Sequence, residues 1–230
     1  MLISGSHCWD IFILTDVTSI VALLLYKPLL SNSNFIVSAG ISDTQILIGT
    51  FLEIVLAVSG IGSALALYPV LKRQNKSLAL GYVIFRTMEG TIIMIGILSI
   101  LTVLTLRLDF LAAGGDASVY QVVGIAFMAL QKWTFLFGPN FALSINATIL
   151  GNLLYKSKLV PRAISSLYLF DAPILFISSI FILFGFYEQT ATFAVLIAMP
   201  LLAFEVSFAV YLIAKGFRPS ALSLLFSKTD

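Results

Sequence analysis

The chain is short of charge. Aspartate, glutamate, lysine and arginine make up 10% of its 230 residues, against roughly 25% in an ordinary soluble domain. A soluble fold of this size needs a polar shell, and this sequence cannot supply one. Disorder is excluded for a related reason. It requires low hydrophobicity and high net charge, whereas 60% of these residues are hydrophobic. A net charge of only +2, with no dense basic cluster, argues against a nucleic-acid binder. The single cysteine, Cys8, rules out an intramolecular disulfide and any CxxC motif. The single histidine, His7, rules out an HExxH zinc site and bis-histidine haem ligation within one chain. No metal, cofactor or catalytic residue is expected from these counts.

What the sequence has is long apolar runs, with a mean hydropathy of +1.06. Six stand out, near residues 11–30, 44–71, 78–106, 120–155, 163–187 and 190–216. Each exceeds or meets the roughly 20 residues a helix needs to cross a bilayer. The runs are continuous and do not alternate, which argues against a transmembrane β-barrel. The reading is all-α: one polytopic transmembrane helix bundle of about six spans, with the lipid bilayer as its principal partner. Met1–Asp10 carries no Lys or Arg, so the first run is read as a retained helix and not as a signal peptide. The longest loops are expected at Ser31–Asp43 and Asp109–Val119.

Basic residues set the expected orientation. Lys72, Arg73, Lys76, Lys156, Lys158, Arg162, Lys215, Arg218 and Lys228 fall on one side of a six-span arrangement, and only Lys27 and Arg107 on the other. The positive-inside rule then places both termini in the cytoplasm of a multi-pass cell-membrane protein.

The informative residues are charges in the wrong solvent. Glu53, Arg86, Glu89, Lys132, Asp171 and Glu205 lie within apolar runs, with Asp16 nearer an end. Each costs roughly 2.5–3.5 kcal/mol at a helix centre on insertion scales. They are therefore expected to face one another or a water-filled cavity. At 1.5 Å per residue, Glu53, Lys132 and Glu205 reach similar depths, with Arg86 and Asp171 somewhat closer to the basic side. Arg86 and Glu89 are i,i+3 neighbours, and Arg86 is expected to pair with Glu53 or Glu89. Acids outnumber bases in this layer. At least one acid is expected to hold a proton at neutral pH, with Glu205 the first choice because no base accompanies it on its own helix.

Other features extend the layer. Gly138-Pro139-Asn140 interrupts the fourth run, where proline frees a carbonyl. A broken helix at mid-depth can line a substrate site, and a plain kink is the alternative. Trp133 beside Lys132 can stack a cationic ligand or simply pack. Lys132, Pro139 and Asn146 recur every seven residues and are expected to share a stripe. The candidates for binding a small polar solute or proton are thus Glu53, Arg86, Glu89, Lys132, Trp133, Asn140, Asp171 and Glu205. Two other readings stay open: a structural or partner-binding subunit whose buried charges fix helix register, and an intramembrane enzyme acting on lipid. Neither a nucleophile nor a metal cluster stands out for the latter.

Several segments together resemble a known family. Phe51-Leu-Glu53 followed by Tyr68-Pro69 and Lys72, Gly81 through Phe85-Arg86 to Glu89, Trp133 to Gly138-Pro139, Gly151 to Tyr155 and Pro161-Arg162, Met199-Pro200, Phe204-Glu205 and Lys215-Gly216-Phe217 occur in order and at matching spacing. They resemble the bacterial membrane family called domain of unknown function 4386, over roughly Ile41–Phe217. The resemblance implies a multi-pass inner-membrane protein, usually of about six helices, and implies no activity. Glu53, Arg86, Glu89 and Glu205 fall on family-like positions.

Overall fold

The computed structural model describes residues 10–32, 34–38, 40 and 42–227. His7, Cys8 and Lys228 lie outside the described residues. The elements are α1 (Asp10–Leu30), α2 (Asp43–Gln74), α3 (Lys76–Ala113), α4 (Ala117–Leu136), a π-helical turn (Phe137–Ala142), α5 (Leu143–Ser157), α6 (Arg162–Leu183), α7 (Thr192–Lys215) and a short α8 (Pro219–Ser227). No strand occurs among the described residues. Six helices are long and apolar enough to cross a membrane, the fourth formed by α4, the π turn and α5 together.

These runs are helical because an apolar solvent leaves the backbone no other partner, and a helix satisfies every amide within its own segment. Hydroxyls follow the same rule by bonding back one turn. Thr15 donates to the Ile11 carbonyl, Thr18 to Leu14, Thr50 to Ile46 and Ser99 to Ile95. Short junctions carry their own caps. Asn75 closes α2 and opens α3, its side chain accepting from the Leu78 N–H. Asp116 opens α4 by accepting from the Ser118 N–H at 2.8 Å. The expected Asp109–Val119 loop is mostly helix. α3 runs to Ala113 and stops where Gly114 takes a φ of +70°, leaving three residues before α4.

Two apolar layers sandwich a polar one. At the basic end, Leu67, Leu71, Leu150, Leu154, Phe208 and Leu212 belong to one large core. At the opposite end, Tyr26, Leu29, Ile46, Ile100 and Leu104 form a second core beneath the α1–α2 connection. Arg107 fastens that connection. Its guanidinium pairs with Asp43 at 2.9 Å and donates to the Phe35 and Ile36 carbonyls. Read from the sequence, Arg107 is an opposite-side loop charge. Buried at the end of α3, it is a clamp.

Candidate functional site

Between the two cores lies a cavity of about 220 Å³. Five charged side chains from four helices line it: Asp16 of α1, Glu53 of α2, Arg86 and Glu89 of α3, and Glu205 of α7. Apolar walls come from Leu23, Leu56, Ile93 and Leu143, and Gln131, Phe135 and Pro139 close one side. The convergence expected from the insertion cost is present for Glu53, Arg86, Glu89 and Glu205, and Asp16 joins them.

Among the described residues, Arg86 is the only base on the cavity wall. Its Nη1 reaches both oxygens of Glu89, at 3.2 and 3.0 Å, and its Nε donates to the Gly60 carbonyl at 3.3 Å. The guanidinium packs beside Gly60, where an added Cβ would meet Arg86 Nε at 3.4 Å, an ordinary van der Waals contact. Glu89 also accepts from Asn146 Nδ2 at 2.6 Å. Of the two pairings open to Arg86 in the sequence, the i,i+3 partner on its own helix is the one formed. An ion pair in apolar surroundings needs such extra hydrogen bonds to offset its desolvation.

The other acids have different partners. Glu205 accepts from the Tyr168 hydroxyl of α6 at 2.7 Å. Its carboxyl also lies within hydrogen-bonding reach of the Asp16 carboxyl. Asp16 is only 6% exposed, and its Oδ2 has no hydrogen-bond partner among the described residues. The Tyr26 hydroxyl lies 3.1 Å from Thr50 Oγ1 and also within reach of the Glu53 carboxyl. Thr15 and Ser59 exchange a hydrogen bond at 3.1 Å, tying α1 to α2 beside the cavity.

Lys132, Trp133, Asn140 and Asp171 are not part of this cluster. Lys132 is exposed and pairs with Glu188, in the α6–α7 connection, at 3.0 Å. Trp133 is 46% exposed and lines neither this cavity nor the larger one beside it. The π turn separates the register of Lys132 from that of Asn146. One extra residue in a helical turn rotates the remainder of the helix by about 100°, so Lys132 and Asn146 do not share the stripe that a seven-residue repeat predicts. Asn140 stays on its own helix, its Nδ2 donating to the Phe135 carbonyl at 3.1 Å. That carbonyl is the one Pro139, four residues on, cannot serve. Asp171 is buried on α6 against the Leu201 backbone N–H of α7, and its Oδ2 has no partner among the described residues.

A second, larger cavity of about 810 Å³ adjoins the first. α1, α4, α6 and α7 line it with residues such as Leu23, Met128, Leu175, Ile182 and Ala198. Lys132, Glu188 and Gln189 stand at its end nearest the α6–α7 connection, where Gln189 donates to the Lys132 carbonyl. Leu23, Gln131, Phe135 and Pro139 are common to both cavities.

Sequence reading missed Tyr168, Tyr26 and, as a cavity residue, Asp16. A tyrosine in an apolar run carries no signal of what its hydroxyl meets. Asp16 sits six residues into α1, close enough to an end to pass for an interfacial charge.

Six apolar helices packed around a buried charged cavity define a multi-pass integral membrane protein. The chain belongs to the family described as domain of unknown function (DUF4386), whose model matches residues 11–216. The match takes in α1, ahead of the Ile41–Phe217 stretch that carries the motif resemblance. No curated protein and no solved structure matches the chain.

Proposed function

We propose that the chain binds a proton in the buried cavity and uses it to sense or carry a small solute. The observation that carries this reading is the contact between the Asp16 and Glu205 carboxyls. Two carboxylates in contact away from bulk water repel, and a proton bound at Asp16 removes the repulsion. The surrounding charges do not remove it. Arg86 is already held by Glu89, while Glu53 adds a further acid, and Tyr26, Tyr82 and Tyr168 are the neighbouring hydroxyls. The wall holds four acids to one base, so the cavity favours a proton or another cation. A purely structural role needs no such surplus of one sign.

The distribution of basic residues supports a cell-membrane protein with its basic end, the start of α1 and α8 facing the cytoplasm. The test of proton binding is infrared difference spectroscopy on the protein in lipid nanodiscs. The reading expects a protonated-carboxyl band at neutral pH that is lost or shifted in both Asp16→Asn and Glu205→Gln. Absence of the band in the wild type overturns it.

A further inference from the structure

We infer that the two adjoining cavities form one binding site for an amphiphilic organic cation, its alkyl body in the larger cavity and its ammonium group in the acidic one. This rests on the proton-binding reading above and names the solute class.

Three observations meet here. The larger cavity, at about 810 Å³, lies within the range of small-molecule pockets, and its wall is mainly Leu, Ile, Val, Met and Ala side chains. It shares Leu23, Gln131, Phe135 and Pro139 with the smaller one, so the two lie side by side, as a single elongated molecule spanning both requires. The smaller cavity presents four acids to one base, and Asp16 Oδ2 stands buried on its wall with no partner among the described residues. A hydrophobic body next to an acidic end is complementary to a lipophilic ammonium ion and opposed to an anion of the same shape. Tyr26 and Phe135 add aromatic rings beside the acids, and aromatic faces attract quaternary ammonium groups.

The π turn contributes to this shape. Pro139 and Asn140 lie on the larger cavity and Pro139 on the smaller one too. Because Asn140 satisfies the Phe135 carbonyl, the turn can stand open beside a ligand without an orphaned backbone group. Ammonium binding and proton binding then compete. The cation takes the place of the proton held at Asp16, and that proton leaves to solvent.

The probe is radiolabelled decyltrimethylammonium, measured by equilibrium dialysis against the protein in zwitterionic nanodiscs, with empty nanodiscs subtracted. Decyl sulfate, of equal chain length and opposite charge, is the control. The expected result is saturable binding of one decyltrimethylammonium per chain, at least tenfold tighter than decyl sulfate. Affinity should fall on acidification, by about tenfold per pH unit where the pair is protonated. Asp16→Asn with Glu205→Gln should abolish the preference for the cation. Ala129→Phe or Ala198→Phe, which fill the larger cavity, should weaken binding at least tenfold while leaving the infrared carboxyl band in place. Equal binding of the two amphiphiles, or cation binding that survives the double substitution, overturns the inference. The wild-type comparison needs no variant, so a misfolded mutant does not rescue it. A carboxyl band without selective cation binding removes this inference and leaves the proton reading standing. Selective cation binding without the band removes the proton reading instead.

Discussion

Asn146 on α5 donates to Glu89 on α3 at 2.6 Å, and Glu89 holds Arg86 through both carboxylate oxygens. The three form one buried unit, and its members should not be separable. Removing Arg86 leaves Glu89 charged and unpaired, a change that costs about 3–5 kcal/mol in buried pairs. Arg86→Met should therefore destabilise the protein by that order, and Arg86→Met with Glu89→Leu by clearly less. Thermal or SDS unfolding in detergent micelles measures both.

Asn140 and Pro139 should be coupled in the same way. Asn140→Leu leaves the Phe135 carbonyl without a donor, at a cost of about 1–3 kcal/mol. Pro139→Ala restores a backbone N–H for that carbonyl. The penalty of Asn140→Leu should be smaller in the Pro139→Ala background, and a double-mutant cycle on unfolding free energies reads the difference. Equal penalties in both backgrounds would show that the two residues act independently.

Gly151 lies against the α6 backbone. A Cβ there would lie 2.8 Å from the Leu169 backbone nitrogen, so Gly151→Ala must push two helices apart. Overpacking of this kind costs about 1–3 kcal/mol. Gly62 has nothing within 4 Å of the same position, and Gly62→Ala should be neutral or stabilising, since alanine is the better helix former. Comparing the same substitution on two spans, by unfolding in detergent micelles, isolates the contact.

Asp116 supplies a pH dependence outside the spans. Hydrogen bonds from the Ser118 side chain and backbone N–H hold its carboxyl below the usual carboxylate range. A lowered folded-state value means that the cap contributes above the ordinary carboxylate range and is lost as pH falls through the folded value. Hydrogen exchange at residues 117–120 should rise, relative to the intrinsic rate, as the cap protonates. Asp116→Asn should keep a cap and lose that pH dependence, whereas Asp116→Ala should fray at every pH.

The spans were legible because twenty apolar residues in a row have few alternatives, and the observed spans lie within about four residues of their expected limits, except that the third runs seven residues further, to Ala113. The pairing of Arg86 was legible down to two partners, Glu53 and Glu89, and the structure forms the i,i+3 one. Lys132 was not. Its register depended on a helix of constant pitch, and the π turn between Lys132 and Asn146 breaks that pitch. The partners of Glu205 and Glu53 were hidden for another reason. Tyr168 and Tyr26 approach them from other helices, and helix rotation within a bundle is set by packing that no single segment encodes. Asp16 was visible as a charge, but its meeting with Glu205 joins the first span to the last.

The central claim is that the charged residues of separate spans turn toward one another inside the bundle. Disulfide cross-linking tests it most directly, with Cys8, the one native thiol, first replaced by serine. Cysteines at Asp16 and Glu205 should join under mild oxidation, while cysteines at the exposed neighbours Val17 and Val206 should not. Cross-linking of the second pair in preference to the first would contradict the account.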